Sequence, residues 1–153
     1  MDISARMDYA IRALLSLAQA DSDGAVVTAD TLAERQGLPR KFLEAVLADL
    51  RKSGLVTSSR GSRGGYRLAR GAEEITLGSV FRAVDGPLAE VRGLRPHETE
   101  YTGAAQHLPM VWVAVRASLR LVLDEVTLRD VLSGNLPAHV NQLINEPDAW
   151  RSR

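Results

Sequence analysis

A glycine-rich basic turn, Arg60-Gly61-Ser62-Arg63-Gly64-Gly65, separates two short extended patterns, and a glycine-terminated amphipathic helix runs directly into it. That succession leaves few folds open. Residues 55–59 and 66–69 read as the two strands of a hairpin. Ahead of them, Phe42, Leu43, Val46, Leu47 and Leu50 recur at helical spacing, predicting a helix from about Pro39 to Ser53 that Gly54 ends. Arg40, Lys41, Glu44, Ala45, Asp49, Arg51 and Lys52 fall off that buried stripe.

Two more helices precede this one. Ser4 can cap a helix over residues 4–20, in which Met7, Ile11, Leu14, Leu15 and Leu17 recur, and residues 21–24 read as a loop. Thr28 can cap a second helix to Gln36 with Leu32 and Ala33 inward. Gly37-Leu38-Pro39 then makes a tight turn: Gly37 takes the left-handed conformation, and Pro39 opens the next helix where a missing N–H costs nothing. Helix, helix, tight turn, helix and basic-tipped hairpin is the order of a winged helix-turn-helix. The fold class is mainly α with a small β-hairpin.

Downstream, Thr76 caps a short helix over residues 77–84, and residues 88–106 lack any period and read as a loop. A long helix opens at Pro109. Leu108, Val111, Val115, Leu119, Val122 and Val126 repeat at steps of three and four, a coiled-coil-like seam. The seam predicts a homodimer. Thr127-Leu128-Arg129-Asp130 is a capping box for a last short helix. From Ser133 the chain carries Gly, Pro and Asn and is expected to be partly ordered at best. The expected organisation is a winged helix-turn-helix domain over residues 1–86, an effector-type loop over 87–108, a dimerisation helix and short helix over 109–135, and a tail over 136–153.

The 153 residues carry no net charge, but the charge is unevenly spread. Residues 39–70 hold eight basic side chains (Arg40, Lys41, Arg51, Lys52, Arg60, Arg63, Arg67, Arg70) against Glu44 and Asp49, leaving the remainder net acidic. A basic block inside a neutral chain is the footprint of a polyanion site. Cysteine is absent, which excludes disulfides, thiol switches and thiolate-ligated metals. Asp8 and Arg12 break the first apolar run, and no stretch approaches the length of a membrane span, so a cytoplasmic protein without a membrane is expected.

The third helix is the expected reader of double-stranded DNA, because a helix fits the major groove and its first turns reach base edges. Those turns carry Pro39, Arg40, Lys41, Glu44 and Ala45, while Arg51 and Lys52 are better placed for phosphates. Thr28 and the hairpin residues Ser59, Arg60, Gly61, Ser62, Arg63, Gly64, Gly65 and Tyr66 complete the candidate contact set. The glycines would let backbone approach phosphate, and arginine inserts readily into a narrow minor groove. A nucleotide-binding loop is disfavoured because a strand, not a helix, follows the glycines. No nucleophile–base or paired-carboxylate spacing points to an enzyme. The rival reading is a winged helix used for protein contacts only, against which the basic block argues.

Residues 32–39, Phe42-Leu43-Glu44, residues 50–56 and residues 59–70 closely resemble the Rrf family of bacterial transcription regulators, which includes the IscR, NsrR and CymR types. Residues 75–78, 83–86 and 126–132 match too, so the resemblance covers about residues 1–135. It implies a homodimer with crossing C-terminal helices that also pack on the partner's DNA-binding domain. It further implies a palindromic operator, most often repression, the third helix in the major groove and Arg60 in the minor groove. Cluster-binding members of the family place three cysteines in the loop matching residues 88–108 and a further ligand a turn before Trp112. This chain has no cysteine, and Pro109 stands at that last position, so no iron–sulfur cluster of the usual type is expected and neither metal nor cofactor is assigned. His97, Glu98, Glu100 and His107 match no tight metal-ligand spacing. The signal is left open among a small organic effector near Trp112 and Tyr101, control by a partner, and no effector at all.

Overall fold

Helix α1 (Ala5–Asp21) starts where Ser4 caps it, the Ser4 Oγ accepting the Met7 N–H at 3.1 Å. The computed structural model describes residues 2–21 and 24–152, so Ser22 and Asp23 of the expected loop lie outside the described residues. One face of α1 buries Met7, Ala10, Leu14 and Leu17. Thr28 caps α2 (Ala29–Gln36) by accepting the Thr31 N–H at 3.2 Å, and Gly37 closes it at φ 60°, in the left-handed region. Pro39 is the N-cap of α3 (Arg40–Lys52) rather than its first helical residue, and its carbonyl accepts the Leu43 N–H at 3.0 Å.

Leu43, Val46, Leu47 and Leu50 of α3 are at most 1% exposed and lock the three helices together. Phe42, expected in the same stripe, is 62% exposed. It precedes Leu43 by one residue, about 100° around the helix, so the stripe of i, i+3, i+4, i+7 leaves it outside. Its ring meets Tyr9 of α1 edge-on, centroids 6.5 Å apart.

The hairpin pairs β1 (Val56–Ser59) with β2 (Gly65–Leu68) antiparallel, Val56 opposite Leu68 and Ser59 opposite Gly65. Val27 adds a bridge on the far side of β2, exchanging both backbone hydrogen bonds with Tyr66 at 2.8 and 2.9 Å. The two adjacent glycines serve this packing. A Cβ on Gly64 would lie 2.4 Å from the Ser59 carbonyl oxygen, and one on Gly65 would lie 2.8 Å from that of Val27.

Thr76 caps α4 (Leu77–Val84), and α5 (Leu108–Leu123) follows an intervening segment that is not featureless. It contains 3-10 turns at Pro96–Glu98 and Gly103–Ala105 and a tight two-residue turn at Arg92 and Gly93. There Val91 and Leu94 exchange hydrogen bonds at 2.9 and 3.0 Å, with φ 55° at Arg92 and 77° at Gly93. Arg92 is the one non-glycine residue at positive φ among the described residues, a conformation that costs an L-residue about 1–2 kcal/mol. After α5 the chain returns to the first domain: Val126 accepts from Leu77 at 2.9 Å, and Leu128 donates to Ile75 at 3.0 Å.

Thr127 and Asp130 form the expected capping box of α6 (Leu128–Ser133). The segment beyond, expected to be irregular, holds a further helix, α7 (Ala138–Ile144). Gly134 and Pro137, which suggested a loop, are helix boundaries: Gly134 ends α6 at φ 73° and Pro137 is the N-cap of α7. Val140 is buried beneath it, and His139 Nε2 donates to the Leu121 carbonyl at 2.6 Å. No helix among the described residues is long and apolar enough to cross a membrane.

Two stability predictions follow from these contacts. The Asp130 carboxylate accepts the Thr127 N–H at 2.8 Å and its hydroxyl at 2.7 Å, which holds the Asp130 pKa below its ordinary value. A lowered folded-state pKa contributes stability that is complete above the unfolded carboxylate pKa and is lost as pH falls through the folded one. Urea unfolding should therefore show Thr127→Ala less stable by about 1 kcal/mol at neutral pH, with the acid-dependent loss of stability reduced in Asp130→Asn. Gly65→Ala should destabilise by about 1–3 kcal/mol, because backbone rather than a mobile side chain stands in the way.

Candidate nucleic-acid interface

With one side of α3 committed to the core, its opposite side carries Lys41, Ala45, Ala48 and Lys52, all exposed. Arg40 and Glu44 lie on the flank towards α2. Arg40 is held there by two carboxylates, Asp30 of α2 and Glu44, the latter at 2.9 Å. Arg40, one of the candidate readers, is thus paired within the subunit, and the same ion pair orients Glu44. On the other flank Arg6 of α1 pairs with Asp49. Both acidic residues of the basic block are therefore occupied by arginines within the subunit. Lys41, Phe42 and Ala45 border a shallow hollow of about 360 Å³ at the start of the helix.

The hairpin is tied to α3 by Arg51, whose Nη1 donates to Ser58 Oγ at 3.3 Å, and to the α1–α2 connection by Arg67, which donates to the Gly24 carbonyl at 3.3 Å. Ser59, Arg60, Gly61, Ser62 and Arg63 are exposed at its tip. Gly61 turns the chain at φ 103°, and the Gly64 N–H closes the turn on the Gly61 carbonyl at 3.0 Å. Arg60 and Arg63 make no ion pair or side-chain hydrogen bond among the described residues. Two guanidinium groups thus stand on a stiff loop with their donors free. Gly64, Gly65 and Tyr66 are half-buried and Tyr66 packs on the core, so these three shape the loop more than they line its surface. Thr28 is exposed, with its hydroxyl engaged in the α2 cap.

Sequence reasoning missed Asp30 and the Val27 bridge, and it placed Phe42 in the buried stripe. A helical wheel would have separated Phe42 from Leu43. The Asp30–Arg40 pair and the Val27 bridge depend on how distant segments meet, and nothing in the local pattern signals them.

The residues read as a seam on α5 divide. Val111 and Val115 are exposed, Leu119 and Val122 half-buried, and Val126 is only 3% exposed within its own subunit. Val126 is fixed by its hydrogen bond to Leu77 and does not belong to an open seam. The open side of α5 is instead Met110, Ala114, Ala117 and Leu121, flanked by Val111, Val115 and Ser118.

The donors present do not fit a thiolate-ligated iron–sulfur cluster. The chain has no cysteine, and no cluster of three or more His, Asp or Glu side chains that could hold a metal occurs among the described residues. His97 and His107 turn to different neighbours, Arg116 at 3.1 Å and Gln106 at 3.1 Å.

Comparison with known proteins agrees with this geometry. Residues 3–134 match the Rrf2 family profile, described as "Iron-dependent Transcriptional regulator". An HTH-type transcriptional regulator of Mycobacterium tuberculosis (strain ATCC 25618 / H37Rv) is 48% identical over 152 residues, spanning 99% of this chain and 94% of the relative. The solved structure of CymR, the global cysteine regulator of B. subtilis, aligns with a TM-score of 0.74 at 29% identity, covering 88% of this chain and 98% of that one. That of T. potens IscR aligns at 0.69 and 34% identity, covering 88% of each. The chain belongs to the Rrf2 family and is a DNA-binding transcription regulator with a winged-helix fold.

Proposed function

We propose that the protein is a homodimeric repressor that binds a palindromic promoter operator and excludes polymerase by occupying it. The observation that carries this reading is the free state of Arg60 and Arg63 on a braced hairpin, beside a helix whose outward side is basic and apolar. The outer side of α3 enters the major groove, where Glu44, steadied by Arg40, accepts from a cytosine N4 amino group. The hollow bordered by Lys41, Phe42 and Ala45 has the apolar lining that suits a thymine methyl group. Arg51 and Lys52 reach phosphates, and Arg60 enters the adjacent minor groove.

The dimer reading rests on the open side of α5. Met110 is 70%, Val111 52%, Val115 44% and Leu121 55% exposed, an apolar patch of the kind that marks an interface. Residues 110, 114, 117 and 121 keep the four-three-four step of a helix–helix seam, with small alanines at its centre.

Three variants test the reading, with an operator selected from randomised duplexes and fluorescence anisotropy at several salt concentrations. Arg60→Ala should weaken binding to operator and random duplex alike and reduce the salt slope by about two, one contact per subunit. Glu44→Ala should cost about 1–3 kcal/mol per half-site on the operator and little on random DNA. Leu121→Glu should yield monomers in light scattering and abolish operator binding. If Arg60→Ala leaves every affinity unchanged, the hairpin does not touch DNA and the protein-interaction reading replaces this one.

A further inference from the structure

Between α5 and the segment over residues 87–96 lies a cavity of about 570 Å³, within the range of sites that hold small organic ligands. Its lining is mostly apolar, including Leu88, Trp112, Val115 and Leu119, with two charged side chains, Glu90 and Arg92. These two are of opposite sign, and neither makes an ion pair among the described residues. The indole N–H of Trp112, a residue of the lining, is buried without an acceptor among the described residues.

Arg92 is held at this place against its backbone preference. It occupies the first position of the tight turn at φ 55°, where asparagine, aspartate or glycine is the ordinary choice. Its guanidinium lies over the Tyr101 ring, 5.4 Å from the centroid. This cation–π contact engages one side of the guanidinium, and the N–H donors directed away from the ring remain available for a carboxylate. A strained position held by an aromatic contact and bordering a cavity is where a ligand-binding group is expected.

We infer that this cavity binds a small zwitterion with an apolar body, of the apolar α-amino acid class. Its carboxylate pairs with Arg92, its ammonium with Glu90, and its side chain lies against Leu88, Trp112 and Leu119. The inference rests on the regulator reading above only for its purpose, since Val115 borders both the cavity and the open side of α5 and would pass occupancy to the dimer.

The test uses the full-length protein and isothermal titration calorimetry with L-leucine and L-phenylalanine. The controls are 4-methylpentanoate, which lacks the ammonium, and 3-methylbutylamine, which lacks the carboxylate. At least one amino acid should saturate below about 10 mM, with both single-charge analogues of leucine weaker by about tenfold or more. Arg92→Asn relieves the turn and should fold normally while weakening the amino acid by about tenfold or more. In a Trp150→Phe background, where Trp112 is the sole tryptophan, binding should change the emission. If 4-methylpentanoate binds as well as the amino acid, Glu90 has no role and the zwitterion assignment is wrong. If no amino acid binds while operator affinity is intact, the cavity inference fails and the regulator reading stands. Loss of operator affinity as well in the unmodified protein overturns both.

Discussion

The burial of Leu43, Val46, Leu47 and Leu50 decides the orientation of α3, and with it which side chains of that helix face outward. Completely burying a leucine or valine side chain is worth about 1.5–3 kcal/mol, so four of them resist any rotation of the helix that would expose one. A helix is a rigid rod of side chains 100° apart. Fixing one side on α1 and α2 therefore fixes the opposite side as Lys41, Ala45, Ala48 and Lys52. The ion pairs on the flanks, Arg6–Asp49 and Arg40 with Asp30 and Glu44, are half-exposed and add little to stability. Their effect is on charge placement: they pair the carboxylates of Asp49, Asp30 and Glu44 with two arginines and orient Glu44.

Much of this was legible in the sequence. The three helices, the hairpin and the caps at Ser4, Thr28, Thr76 and Thr127 all depend on local chemistry, and all lie where their residues predict. Phe42 shows the limit of pattern reading by residue type, since a large apolar residue next to a stripe looks like part of it. Gly64 and Gly65 show another limit. The sequence suggested glycines for close approach to phosphate; within the subunit Gly64 answers to the backbone of the hairpin itself and Gly65 to that of Val27, a packing demand that the sequence does not display. The α7 helix was missed because the residues between α6 and α7, Gly134 and Pro137 among them, are of the types that mark loops.

The seam on α5 was legible as a period but not as a direction. The positions 108, 111, 115, 119 and 122 repeat correctly, yet part of that line is covered by the segment over residues 87–98 of the same chain. Pro96 and Thr99 are buried, and the Thr99 hydroxyl closes on the Pro96 carbonyl at 2.7 Å, which gives that segment the order needed to cover a helix. An aperiodic stretch offers no sequence signal for which side of a neighbouring helix it will take.

The joint between α5 and the first domain carries the mechanical consequence. Gly78 sits where an added Cβ would lie 1.9 Å from Asp124 Oδ1 and 3.1 Å from the Leu123 carbonyl oxygen, so a larger residue would displace the Asp124 side chain and crowd the end of α5. Asp124 in turn receives Arg82 of α4 at 2.7 Å. Just beyond it, residues 126 and 128 hydrogen-bond to residues 77 and 75 on either side of the Thr76 cap. Two backbone bonds, a carboxylate clamp and a glycine contact make α4 and the end of α5 move as one body. Since α4 also buries Val80 and Phe81 in the core that contains the stripe of α3, a displacement of α5 cannot be absorbed at the joint. It must either move the whole winged-helix domain or be resisted by it. In a symmetric dimer joined through α5, the first alternative changes the separation of the two α3 helices, which must match one turn of DNA or a multiple of it to bind both half-sites.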